Sequence, residues 1–151
     1  MGVVYIEEFG ELPKEIEEEM LQDLWRYDSS RGINMNYNKY SFILKNDVGQ
    51  AIGVLSHYTI FAEVFIDMLW IDARYRGRGL GKTLVQKLED KYKNQGFNNI
   101  NLCTYAFQAP EFYEKCGFTL EFIRENKLNP SFTKYFFVKF FEESVQKQGL
   151  V

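Results

Sequence analysis

The sequence predicts a single α/β domain of the α+β kind, a mixed sheet of six to seven strands with helices on both faces. Three observations predict it. Short apolar runs of strand length alternate with longer stretches of helical periodicity. Glycines and asparagine-rich turns separate them. The chain has 151 residues, enough for one domain with a proper core.

The elements follow in order. Val3 to Phe9 reads as a first strand. Pro13 opens a helix whose apolar face is Ile16, Met20, Leu21 and Leu24. The stretch Asp28 to Asn38 is too polar for core and too long for a plain turn, which suits a substrate-side segment. Ser41 to Lys45 and Gln50 to Ile60 form a hairpin about Asn46-Asp47-Val48-Gly49. Glu63 to Ile71 is the central strand. A helix from Lys82 to Asn94 buries Leu84, Val85, Leu88 and Tyr92 and stops at Gly96. Ile100 to Thr104 is a strand, and Pro110 starts a short helix ended by Gly117. Thr119 to Arg124 and Lys134 to Phe141 complete the sheet, and the polar tail 142–151 frays.

Composition narrows the functional classes. Net charge is −3 and no Lys/Arg block stands out, so the electrostatic footprint of a nucleic-acid binder is missing. No apolar stretch is long enough to span a membrane, and the short first apolar run leads into acids rather than a cleavage site. Cys103 and Cys116 make neither a disulfide framework nor a metal spacing. As buried free thiols they suit a reducing cytoplasm. His57 is the only histidine; without a second, a metal site has no ligand set, and it reads as a structural strand residue.

The chemistry concentrates in residues 66–83. An apolar strand runs into a turn with Gly77, Gly79 and Gly81 at every second position, and a helix follows. Glycine lets backbone approach an anion, and a helix N-terminus presents free N–H groups and a positive dipole end. Arg76, Arg78 and Lys82 add charge. Spacing separates the possible phosphate loops. A dinucleotide fingerprint from Gly77 and Gly79 places its third glycine on Lys82, and a P-loop ending in Gly81-Lys82-Thr83 places its first on Arg76. What remains is R-x-x-G-x-G over residues 76–81. A second run follows about 30 residues later, A-x-x-x-Y-x-x-x-G-F, carried by Ala109, Tyr113, Gly117 and Phe118.

The two motifs, in this order and at this separation, resemble the GNAT superfamily of acetyl-CoA-dependent N-acetyltransferases; so does the L-x-I of Leu69 and Ile71 ahead of the loop. The resemblance is strong over residues 63–118 and weak before residue 41. It implies a single N-acetyltransferase domain over residues 1–151 that moves acetyl directly from acetyl-CoA to a primary amine, without a metal. It assigns the backbone of Gly77, Arg78, Gly79, Leu80, Gly81 and Lys82 to the CoA pyrophosphate, with the Arg76 and Arg78 side chains nearby. Leu69, Trp70 and Ile71 take the pantetheine, on a central strand splayed from its neighbour, and the Leu69 N–H is the oxyanion donor. Where the family often has asparagine this chain has Ala106, and Gln108 is the candidate for that contact. Tyr113 matches the general acid at the departing thiolate. Asp67 ranks first as base, directly or through water, and Glu63 second; an even spacing puts both on one strand face. Either carboxylate can instead bind a cationic acceptor electrostatically.

A non-catalytic acyl-CoA-binding module on the same fold is the rival expectation. The acceptor pocket is expected from the segments Trp25 to Tyr40 and Asn126 to Thr133. Many relatives dimerise, and the aromatic last strand (Tyr135, Phe136, Phe137, Phe140, Phe141) suits either core or a homodimer interface.

Overall fold

A computed structural model describes residues 2–142; from residue 143 the tail expected to fray lies outside the described residues. The chain divides into two compact units, one up to Met35 and one from Asn36.

The first unit holds helix α1, Lys14–Ser29. Pro13 stands at its N-cap, Glu15 and Glu17 in the first turn and Arg26 in the last, as the helix dipole favours. The strand expected at Val3 to Phe9 is absent; those residues have no regular secondary structure. An apolar run becomes a strand only where a partner accepts its backbone hydrogen bonds, and its own composition cannot supply one.

The second unit is a six-stranded mixed sheet. In chain order its elements are β1 (Asn38–Lys45), β2 (Ala51–Ile60), β3 (Glu63–Ile71), α2 (Leu80–Tyr92), β4 (Asn99–Tyr105), α3 (Glu111–Lys115), β5 (Thr119–Arg124) and β6 (Lys134–Phe140). The strand order is β1-β2-β3-β4-β6-β5. β3 and β4 are the parallel pair, joined by the α2 crossover; the other neighbours are antiparallel. The hairpin turn is held by Asn46, whose Oδ1 accepts from the Val48 and Gln50 amides.

One core lies between the sheet and α2. Leu84, Val85, Leu88 and Tyr92, the face predicted from periodicity, pack on Leu55, Val64, Ile66, Ile100, Leu102 and Phe137. Phe112 and Tyr113 of α3 join the same cluster. Tyr92 reaches into the sheet, where its hydroxyl and His57 Nε2 share a hydrogen bond of 3.0 Å. His57 is buried, its Nδ1 makes no hydrogen bond of standard geometry, and burial with the nearby Lys91 charge lowers its pKa to about 4. It is a neutral core residue, as expected from the sequence. Among the described residues no helix is long and apolar enough to cross a membrane.

Candidate active site

The site is built on the two ends of β3. At its start Glu63, Val64 and Phe65 pair with Asn99, Ile100 and Asn101 of β4, and the parallel ladder stops there. From Ile66 onward the two strands part.

Register shows what the opening exposes. The Asp72 amide donates to the Ile52 carbonyl at 2.9 Å, and Trp70 lies opposite Val54, Met68 opposite Ser56. Antiparallel pairs alternate between hydrogen-bonded and non-bonded. Met68, Trp70 and Asp72 therefore spend their main-chain groups on β2. Leu69 and Ile71 point theirs the other way, into the gap before β4. One of these is taken up: Arg76 Nε donates to the Ile71 carbonyl oxygen at 3.0 Å.

A bulge sits at the centre of β3. Ser56 lies opposite Met68 while His57 lies opposite Ile66, so Asp67 is the extra residue. The burial pattern records the slip: Val64 and Ile66 are buried, Asp67 and Met68 are both exposed, and Leu69 and Ile71 return toward the core. A regular strand would have kept one phase from Glu63 to Ile71. The slip falls after Asp67, so Glu63, Phe65 and Asp67 keep the shared face expected from their even spacing, and Met68 to Ile71 are the residues it re-phases. Asp67 is exposed beside the opening. Glu63 sits at the closed end, where Asn99 Nδ2 donates to its carboxylate at 3.2 Å, roughly 20 Å along the strand from Leu69.

Beyond β3 the chain makes one turn of 3₁₀ helix over Ala73–Tyr75, capped by Asp72, whose carboxylate accepts from the Arg74 amide at 2.9 Å. Arg74 closes a 2.7 Å ion pair on the same carboxylate, and that hydrogen bonding holds the Asp72 pKa near 2. The glycine loop follows. Gly77 and Gly79 adopt φ of 74° and 76°, left-handed values that glycine tolerates, and a Cβ at either would meet nothing within 4 Å. Gly79 is the N-cap of α2. The first amide bonded back into the helix is that of Thr83, to the Gly79 carbonyl at 3.0 Å, so those of Leu80, Gly81 and Lys82 precede the ladder and remain to bind an anion. Gly81 is small for a different reason: a Cβ there would lie 3.0 Å from Phe112, where α2 meets α3. Arg78 lies over the Tyr75 ring and donates to the Arg74 carbonyl at 3.3 Å.

Tyr113 stands on α3 between Phe112, Phe118 and Phe137. Burial pushes its pKa up to about 12, with smaller contributions from Cys116 and Cys103. It therefore carries its proton throughout the neutral range. Cys103, on β4 across the opening, is near enough to raise the pKa of both Tyr113 and Tyr58 of β2. Both cysteines are free thiols. Gln108 has a structural duty: its Oε1 accepts from the Tyr105 amide at 3.1 Å and from Thr104 Oγ1 at 3.3 Å, closing the turn after β4.

The fold brings together an anion-ready loop, a strand end with unspent amides, a protonated tyrosine and a carboxylate on a bulge. That combination fits a site for a phosphate-bearing acyl carrier. The Acetyltransferase (GNAT) family matches residues 4–118, and the chain belongs to it. Blasticidin-S acetyltransferase of Streptomyces morookaense is 34% identical over 73 residues, 48% of this chain and 54% of its own length. The chain thus spans about half the length of the curated relative it matches. An acetyltransferase from Bacillus cereus superposes with a TM-score of 0.71 at 26% identity, covering 91% of this chain and 99% of its own. A protein assigned as a streptothricin acetyltransferase of Bacillus anthracis, in complex with acetyl coenzyme A, gives a TM-score of 0.61 at 25% identity over 70% of this chain and 64% of its own. The chain accordingly has the fold of the acetyltransferase (GNAT) family, and acetyl-CoA is the donor that family uses.

Two features of the site escaped the sequence reading. The Asp72–Arg74 cap was visible in principle as an Asx turn at a strand end. The bulge at Asp67 left no local signal, because the residues flanking Asp67 between Phe65 and Ile71 are apolar on both phases.

Proposed function

We propose that the chain is one N-acetyltransferase domain that moves acetyl from acetyl-CoA directly to a primary amine of a small molecule. The observation that supports this best is the opening between β3 and β4, with the Leu69 and Ile71 main-chain groups aimed into it between the glycine loop and Asp67. The residues present fit the donor. The amides of residues 77–82 and the Arg76 and Arg78 side chains hold the pyrophosphate, and Leu69, Trp70 and Ile71 pair with the pantetheine. Bound acetyl-CoA supplies an acetyl group activated as a thioester.

The protein's residues do the rest. The Leu69 N–H donates to the carbonyl oxygen as negative charge gathers there. Asp67 meets the incoming ammonium, and its proton leaves through that carboxylate or a water beside it; without that loss the nitrogen has no lone pair, its ordinary pKa being about 10.4. As the nitrogen–carbon bond forms and the carbon–sulfur bond breaks, the Tyr113 hydroxyl gives its proton to the sulfur. Glu63, held by Asn99 at the closed end, is the weaker candidate for base. A small-molecule acceptor is favoured by two relatives named for the acetylation of blasticidin S and streptothricin.

Titration calorimetry with acetyl-CoA, with ATP and NAD as controls, tests the donor. A screen of amines read by thiol release then tests transfer. Micromolar binding confined to acetyl-CoA, followed by turnover, is expected. Preference for ATP would refute the donor assignment, and binding without turnover of any amine would leave only a donor-binding module.

A further inference from the structure

A second phenol, Tyr58 of β2, stands beside the opening. It lies opposite Phe65 of β3, and the two rings tilt against each other with centres 5.0 Å apart. Its neighbour His57 points to the α2 side, so Tyr58 lies on the other face of the sheet. Phe65 and Asp67 share that face, which makes Asp67 the diagonal neighbour of Tyr58, within reach of a long side chain. Both residues line a cavity of about 560 Å³, where Tyr37 tilts against Tyr58 with ring centres 5.8 Å apart.

Burial raises the Tyr58 pKa first and the Asp67 charge next; Tyr37 and Cys103 add to this, and the Lys39 ammonium opposes it. Asp67 acts on the phenol through charge and not through a hydrogen bond, so the two groups stand near each other with space between. Cys103, which belongs to β4 across the opening, acts on Tyr113 as well. Tyr113 packs on Phe137, in the core on the α2 side. Two phenols therefore flank one opening, Tyr113 from the α2 face and Tyr58 from the other.

We propose that Tyr58 is a further catalytic residue: its hydroxyl oxygen accepts one N–H of the acceptor amine while Asp67 holds a second, which turns the nitrogen lone pair toward the acetyl carbonyl in the opening. The proposal rests on the acetyltransfer reading and adds a residue to it. The proton that the ammonium loses goes to Asp67 or to a water, and Tyr58 keeps its own throughout. The nitrogen–carbon bond then forms as the carbon–sulfur bond breaks, and Tyr113 protonates the sulfur. Tyr58 thus orients the nucleophile on one face while Tyr113 serves the leaving group on the other. A reactant held off its line of attack can lose about a hundredfold in rate.

Benzylamine, a primary amine small enough for the cavity, serves as the acceptor probe. Thiol release from acetyl-CoA is followed in the wild type, Tyr58→Phe, Asp67→Asn and the double variant, and acetyl-CoA binding is measured by calorimetry in all four. Phenylalanine keeps the ring on Phe65 and removes only the hydroxyl. We expect Tyr58→Phe to lower kcat at least tenfold while acetyl-CoA binds within twofold of the wild type, a split that a merely structural role would not produce. The double variant should lose less than the product of the two single losses, since both groups hold one nitrogen. A fall in kcat of less than tenfold, losses that multiply, or benzylamine left unacetylated by a wild type that binds acetyl-CoA overturns the proposal. A wild type that does not bind acetyl-CoA faults the acetyltransfer reading itself.

Discussion

Arg76 Nε donates a hydrogen bond to the carbonyl oxygen of Ile71 across 3.0 Å, tying the glycine loop to the end of β3. The bond spans five residues of chain and the whole 3₁₀ turn. It fixes the loop's entry to the strand whose free amides line the opening, and it holds a guanidinium, with donors to spare, at the loop.

Replacing Arg76 by Gln removes both the charge and the fork geometry. Charged hydrogen bonds are worth about 1.5–3 kcal/mol, so the dissociation constant for acetyl-CoA should rise about tenfold or more. Calorimetry at low and high salt checks this. An unchanged constant would remove Arg76 from the binding loop.

The loop glycines separate into two mechanisms. Gly79→Ala meets open space but forces a left-handed residue, which costs about 1–2 kcal/mol. Gly81→Ala has no such backbone conflict and instead presses on the Phe112 ring at 3.0 Å. Thermal melts should fall for both variants, and replacing Phe112 by Leu should rescue only the second. Rescue of both, or of neither, would contradict the assignment.

Tyr113→Phe keeps the ring packing against Phe112, Phe118 and Phe137 and removes only the hydroxyl. Acetyl-CoA should bind as before while kcat falls about a hundredfold or more, the scale of general-acid catalysis. Because the Tyr113 pKa is pushed up to about 12, the wild-type rate should show no loss from its ionisation below about pH 11. An undiminished kcat would rule the tyrosine out as the acid.

His57 predicts an acid sensitivity of the fold. Its folded pKa of about 4 lies below the ordinary 6.5, so the unfolded chain binds the proton more tightly. The stability is therefore full above pH 6.5 and is lost as pH falls toward 4. At about 1.4 kcal/mol per unit the loss reaches about 3 kcal/mol. Melting the wild type and His57→Leu at pH 7.5 and 4.5 checks this: the variant should show a smaller drop between the two. An equal drop would mean that other groups set the acid limit.

Much of this protein was legible before folding. The α2 face of Leu84, Val85, Leu88 and Tyr92 follows from a period of 3.6. The β3 bounds, Glu63–Ile71, coincide with those read from the sequence, since the apolar run is bracketed by turns. The β1 strand begins three residues earlier than expected, at Asn38, because pairing with β2 carries Asn38, Lys39 and Tyr40 despite their weak strand pattern. Val3 to Phe9 failed the opposite way, with the pattern present and the partner absent.

The division has a physical cause. Loop glycines, capping residues and helix faces are properties of consecutive residues, so the sequence alone determined the phosphate-loop motif, the Tyr113 signature and hence the family. The opening beside Leu69, the bulge that turns Leu69 and Ile71 toward the core and the cavity that Asp67 shares with Tyr37 and Tyr58 are properties of how strands register against one another. Register is set by long-range packing and backbone pairing, and only the tertiary structure decided it.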